Sequence, residues 1–194
     1  DIAGKGTGDI NIMTDQNGTH GNSRKITYIS GSLASQINFG NLLSKDYTIC
    51  TLSRYLGPTY GKIFGADNDT WSHGHINGEV GVLKYGVGDA RETLGDSNKP
   101  PATTNITRNS WVAICGTNKG NDAYFVNGVR YSTTGGNFAP DAFGINIGDE
   151  PSNWAVAFLA TWNYHVGEAR LSTLSNWLNP AKSATPYAFG WSMC

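Results

Sequence analysis

The chain has 194 residues, a formal net charge of −1 from 14 basic and 15 acidic side chains, and 15% charged residues, against about 25% in an ordinary globular domain. That length fits one domain with a core of its own, and without massed lysine and arginine the composition excludes a nucleic-acid or anionic-membrane footprint. No stretch approaches the roughly 18 consecutive apolar residues that span a bilayer, so membrane insertion is not expected.

Residues 1–29 read as an extended N-terminal arm. "DIAGKGTGDINIMTDQNGTHGNSR" is rich in Gly, Asn, Thr and Asp, with one short strand expected at "INIM". Its few apolar residues do not offset an ordering entropy of roughly 1–2 kcal/mol per residue, so by itself the arm should be disordered. From "KITYIS" onward come "QINFG", "YTICTLSRY", "GKIFGA", "WSHGHI", "EVGVLKYG", "SWVAICGT", "DAYFVNGVRY", "AFGINIG" and "NWAVAFLATWNYHV". Each is a strand-length run rich in β-branched or aromatic residues and bounded by turn formers. Closely spaced runs without crossover helices predict an all-β fold, a two-sheet antiparallel sandwich over residues 30–180.

Within "WSHGHINGEVGV", Asn77-Gly78 predicts a type I′ hairpin turn. Ile76 then pairs with Glu79 and His75 with Val80, while His73 and His75 share a face that looks toward Val80 and Val82. Glu79 falls on the other face, so the histidines lack a third ligand for a catalytic zinc and are expected to be structural. Residues 86–108, with Pro100 and Pro101, have no regular period and read as a long loop. In "NWAVAFLATWNYHV", strict alternation places Trp154 and Trp162 on one face with Val156, Phe158 and Ala160. One short C-terminal helix is expected in "VGEARLSTLSNWLN", with Leu171, Leu174, Trp177 and Leu178 as a packed stripe, Asn179-Pro180 as its stop, and a place against the end of a sheet. Residues 181–194 form a C-terminal strand or assembly tail, since Tyr187, Phe189, Trp191 and Met193 alternate ahead of Cys194. Packed on the chain's own sheet the tail is a final edge strand; packed on a neighbour it is a self-association contact.

Three Asn-x-Thr sequons, at Asn17, Asn68 and Asn105, lie in loop-like stretches and predict glycosylation. The chain begins at Asp1 without a methionine or signal peptide, as expected of a mature secreted form or a piece of something longer. In that setting a Cys50–Cys115 disulfide is expected, buried free thiols being the other reading, and Cys194 is the odd cysteine.

Together "YTICTLSRY", "GHINGEVGV", "WVAICGTN", "YFVNGV", "INIGDEPSNWAVAFLATWN" and "LSTLSNWL", taken in order, resemble the landmarks of laminin-G-like domains in the concanavalin A-like lectin and glucanase superfold, over about Ser30 to Leu178. The resemblance implies a jelly-roll sandwich that is extracellular, binds glycans or glycoproteins, and often carries calcium at the sheet rim. Oxygen-rich clusters suited to calcium occur at Asp67, Asn68 and Asp69 and at Asp149, Glu150 and Asn153.

Catalysis is not expected. Retaining glucanases of this superfold carry Glu-x-Asp-x-Glu or Glu-x-Asp-x-x-Glu, which sets two carboxylates on one strand face, and none of Glu79, Glu92, Glu150 or Glu168 begins such a motif. A lyase-like set would have to be assembled in space from Arg54, Tyr55, His73 or His75. Of the tryptophans, Trp71, flanked by Asp67 and Asp69, is the expected exposed ring on which a sugar would stack. The sequence reading is therefore a secreted, lectin-like binding module. The alternatives are a structural subunit of an extracellular filament, sheath or coat and, behind it, a polysaccharide-cleaving enzyme.

Overall fold

The structure is a computed structural model that describes residues 5–16, 20, 22–66, 71–85, 107–119, 123–132, 138–182 and 190–193. Two sheets face each other. The smaller runs β1 (Lys5–Thr7), β4 (Gln36–Gly40), β12 (Phe143–Ile145), β6 (Phe64–Ala66), β7 (Trp71–Ile76) and β8 (Glu79–Tyr85). The larger runs β11 (Val129–Ser132), β10 (Ala123–Val126), β9 (Val112–Thr117), β5 (Thr48–Tyr55), β13 (Trp154–Trp162), β3 (Ile26–Gly31) and β2 (Ile10–Asp15), and β14 (Gly190–Met193) pairs with β13. Apart from that parallel pairing, neighbouring strands are antiparallel, as in the expected sandwich.

Burial on both faces of the larger sheet follows from alternation along β5. Ile49, Thr51, Ser53 and Tyr55 face the smaller sheet, and Phe64, Trp71 and Phe143 from that sheet with Ile114 and Trp154 from the larger one complete the inter-sheet core. Cys50 and Leu52 face outward into a second apolar layer with Ala113, Cys115 and Phe125. Helix α1 (Glu168–Leu178) covers that layer with Leu171 and Leu178. It therefore lies across the outer face, against β9, β10 and β5, and not at a sheet end. Cys50 and Cys115 are opposite one another on β5 and β9 and form the expected disulfide.

The Asn77-Gly78 turn is as predicted: φ is 49° at Asn77 and 80° at Gly78, with His75 opposite Val80 and Ile76 opposite Glu79. One residue further the register departs from simple alternation. Gly81, at φ 84°, is an extra residue, so His73 faces Leu83 and Val82 faces Gly74. A second correction concerns "DAYFVNGVRY", which is two strands. Asn127 and Gly128, at φ 49° and 81°, fold it into the β10–β11 hairpin by the same turn chemistry.

A third correction lies in β13, where the register shifts between Val156 and Phe158. The additional Ala157 reverses the alternation. Trp154 sits in the inter-sheet core, whereas Trp162 packs on the outer layer. Trp177, expected to be packed, is 46% exposed, with its ring edge-on to Phe158 at 5.9 Å between centroids.

Both short strands of the arm enter the sheets, β1 beside β4 and β2 beside β3, and β3 straddles the boundary after residue 29. The β2–β3 hairpin brings Asp15 to the outer face. There its carboxylate meets Arg54 Nε at 3.2 Å, accepts from Trp111 Nε1 at 2.7 Å and from Tyr28 hydroxyl at 3.2 Å, and lies 3.1 Å from His20 Nδ1. The guanidinium carbon of Arg54 lies 5.5 and 5.3 Å from the ring centroids of Tyr28 and Trp111, which meet edge-on at 5.1 Å. Among the described residues no helix is long and apolar enough to cross a membrane.

Candidate functional site

The expected sugar platform, Trp71, is fully buried. Its Nε1 donates to Tyr47 hydroxyl at 2.6 Å and its ring stacks on Tyr85, so it offers no face to a ligand. The alternation that made β7 a strand also turns Trp71 inward beside His73 and His75. Asp67 and Asp69, and the sequons at Asn17, Asn68 and Asn105, lie outside the described residues.

At the other expected cluster, Asp149 is exposed. Glu150 lies 3.3 Å from the ammonium of Lys62 and accepts from Asn77 Nδ2 at 3.4 Å. Asn153 Oδ1 accepts from the Thr59 amide at 3.4 Å. Glu150 and Asn153 thus spend side-chain oxygens on protein donors. Among the described residues no group of three His, Cys, Asp or Glu gathers as a metal site would require.

His73 and His75 lie wholly inside the sandwich. His73 is bonded through Nδ1 to Tyr85 hydroxyl and through Nε2 to Thr51 hydroxyl. His75 Nδ1 lies 3.4 Å from Ser53 Oγ, and its Nε2 has no hydrogen-bond partner among the described residues. Burial pushes both imidazoles down to about 3, so they are neutral near pH 7. Desolvation likewise drives the phenols of Tyr47, Tyr55 and Tyr85 upward. The lyase-like set is not assembled: Tyr55, His73 and His75 face the interior, while Arg54 is on the opposite face of β5 with Asp15.

An open cleft of about 480 Å³ lies at the sandwich end where β4 leads out and β5 and β12 begin. Asn41, Leu43, Ser44 and Lys45 from the β4–β5 connection form one wall, and Phe138, Ala139, Pro140 and Asp141, leading into β12, form the other. Asn41, Lys45 and Asp141 are exposed, and Phe138 is half-buried. The walls are joined by Asn118, itself 1% exposed, just beyond β9. Its Nδ2 donates to Lys45 carbonyl at 2.7 Å and to Phe138 carbonyl at 3.4 Å. Its Oδ1 accepts from the Tyr47 amide at 2.9 Å and lies 2.9 Å from His165 Nε2. A buried amide with its capacity filled in this way holds a loop pair in one arrangement.

None of these cleft residues was singled out from sequence. The walls are nearly a hundred positions apart and lack periodicity, and "CGTNKG" looks like any polar turn.

Neither a protein-family model nor a curated protein matches the chain. Among solved structures, domain 4 of AbnA, an extracellular GH43 arabinanase from Geobacillus stearothermophilus solved in complex with arabinotriose, is similar at 18% identity and a TM-score of 0.53, over 88% of each chain. The binding domain of botulinum neurotoxin DC, solved in complex with SialylT, is similar at 12% identity and a TM-score of 0.50, over 88% of this chain and 46% of that one. At these identities the likeness is one of fold. The chain is a two-sheet antiparallel β-sandwich, and its described surface offers an open polar cleft between loops at one end.

Proposed function

We propose that the chain is a secreted, non-catalytic glycan-binding module of the laminin-G-like kind, with the cleft of Asn41–Lys45 and Phe138–Asp141 as its sugar site. The observation that carries this reading is the pairing of that cleft with the Asn118 clasp. A sugar presents hydroxyls that donate and accept around an apolar C–H face. The exposed amide of Asn41, the carboxylate of Asp141 and the ammonium of Lys45 offer complementary groups, and the ring of Phe138 offers apolar surface. Fixing both walls before binding lowers the ordering cost.

The carbohydrate ligands of the two similar sandwiches support the reading at the level of class. The disulfide and the sequons at Asn17, Asn68 and Asn105 support secretion. No role is assigned to calcium.

A glycan array probed with the whole chain tests the proposal. The expected result is saturable binding to a restricted set of glycans, weakened at least tenfold by Asp141→Ala with an unchanged melting temperature. A folded chain that binds no glycan above background overturns it.

A further inference from the structure

The orientation of the Asn118 amide is set by backbone groups whose roles cannot reverse. Its Nδ2 donates to the carbonyls of Lys45 at 2.7 Å and Phe138 at 3.4 Å, and its Oδ1 accepts from the Tyr47 amide at 2.9 Å. Turned over, the amide would set its N–H groups against an N–H and its oxygen against two carbonyls. The atom 2.9 Å from His165 Nε2 is therefore an oxygen that carries no proton. A second lone pair at that distance would be repelled, so Nε2 carries a proton and donates to the clasp.

His165 lies between β13 and α1, outside the cleft lining, and its neighbours are fastened to the first residue of β5. The buried hydroxyl of Thr48 donates to the Tyr164 carbonyl at 2.7 Å and accepts from the Val166 amide at 2.9 Å. The imidazole thus reaches Asn118 from a fixed base, with Nε2 also 3.8 Å from the Asp46 carboxylate. Among the described residues, the bond to Phe138 is the longest of the clasp and its one tie to that wall. Without the His165 donor, the amide keeps its two shorter bonds, both to the Lys45–Tyr47 segment, and is free to turn about them, away from Phe138.

We infer that His165 is a positioning residue of the cleft: its Nε2–H locks the Asn118 amide and so holds the Phe138–Asp141 wall at its distance from Asn41–Lys45. Its effect on ligand affinity rests on the sugar-site reading of that cleft, whereas its effect on the wall belongs to the free chain. Pre-setting the walls lowers the ordering cost of binding, and a hydrogen bond of this kind corresponds to about a tenfold change in equilibrium.

A pair of substitutions separates the donor from the bulk of the side chain. His165→Gln carries an amide nitrogen about where Nε2 stands, whereas His165→Asn is one bond shorter and ends near the position of Nδ1. Hydrogen–deuterium exchange of the whole free chain reads the wall, and titration with an array-selected glycan reads the cleft. His165→Asn should exchange about tenfold faster than the native chain over Phe138–Asp141 and bind about tenfold more weakly, while His165→Gln stays within about twofold of native in both. Two variants that behave alike, or a wall as slow in His165→Asn as in the native chain, overturn the inference. If the native chain binds no glycan, the sugar reading alone fails, and the wall exchange of the two variants still upholds or overturns the role of His165. Imidazole nitrogen NMR shifts of the native chain give a check that no folding defect in a variant can obscure: a proton on Nε2 upholds the inference, and a neutral ring protonated only at Nδ1 contradicts it.

Discussion

His73 and His75 are ionisable groups placed where ionisation is not tolerated, and their effect on stability has a sign that can be worked out. Unfolded, each titrates near 6.5; folded, burial holds each at about 3. Between those values the unfolded chain takes up protons that the folded chain refuses, so stability is fully present above pH 6.5 and falls as pH drops toward 3. Each histidine contributes about 1 kcal/mol per pH unit to that slope. His75→Phe keeps an aromatic ring against Tyr55 and removes both the titration and the unpartnered Nε2. The urea midpoint of this variant, followed from pH 7 to pH 4, should fall less steeply than that of the native chain; equal slopes would show that His75 is not held neutral. Asn118 is the other residue whose effect is disproportionate to its size. Asn118→Ala leaves the Tyr47 amide and two wall carbonyls without their partner and should cost about 2–3 kcal/mol, measurable by denaturant unfolding, with glycan affinity reduced at least tenfold.

Turns and bulges decide what each strand presents. Gly78→Ala places a Cβ at φ 80°, 3.2 Å from the Arg108 guanidinium, and should cost about 1–2 kcal/mol, with the β7–β8 hairpin the first segment to exchange its amides. The Cys50–Cys115 bridge spans 65 positions. Replacing both cysteines by alanine should cost about 2–4 kcal/mol and lower the melting temperature by roughly 10 °C; an unchanged melting temperature would mean the bridge adds nothing. Much at this scale was legible in the sequence because its determinants are local. Asn-Gly fixed the register of β7 and β8, and alternation placed the strands. Alternation misled where one additional residue entered: Ala157 sent Trp162 to the face opposite Trp154, and Gly81 moved His73 to Leu83. An added residue leaves no trace in a period-two pattern until a partner strand reveals the register. Trp71 is buried because the inward face of β7, and not the polar composition of the loop before it, sets where its ring points. The cleft was illegible for a different reason, since its walls meet only when Asn118 ties Lys45 to Phe138.

At the scale of the whole molecule, the two sheets and the outer helix form the scaffold and the proposed sugar cleft lies on loops at one end, the common division between scaffold and binding surface. This organisation makes a spatial prediction independent of which glycan is bound. With an array-selected glycan in hand, hydrogen–deuterium exchange of the whole chain, free and saturated, measures where the ligand sits. The account predicts slowed exchange at Asn41–Lys45 and Phe138–Asp141, with the Asn77-Gly78 end and the β2 edge unchanged. Protection confined to those distant regions, with the cleft exchanging as in the free chain, would contradict it.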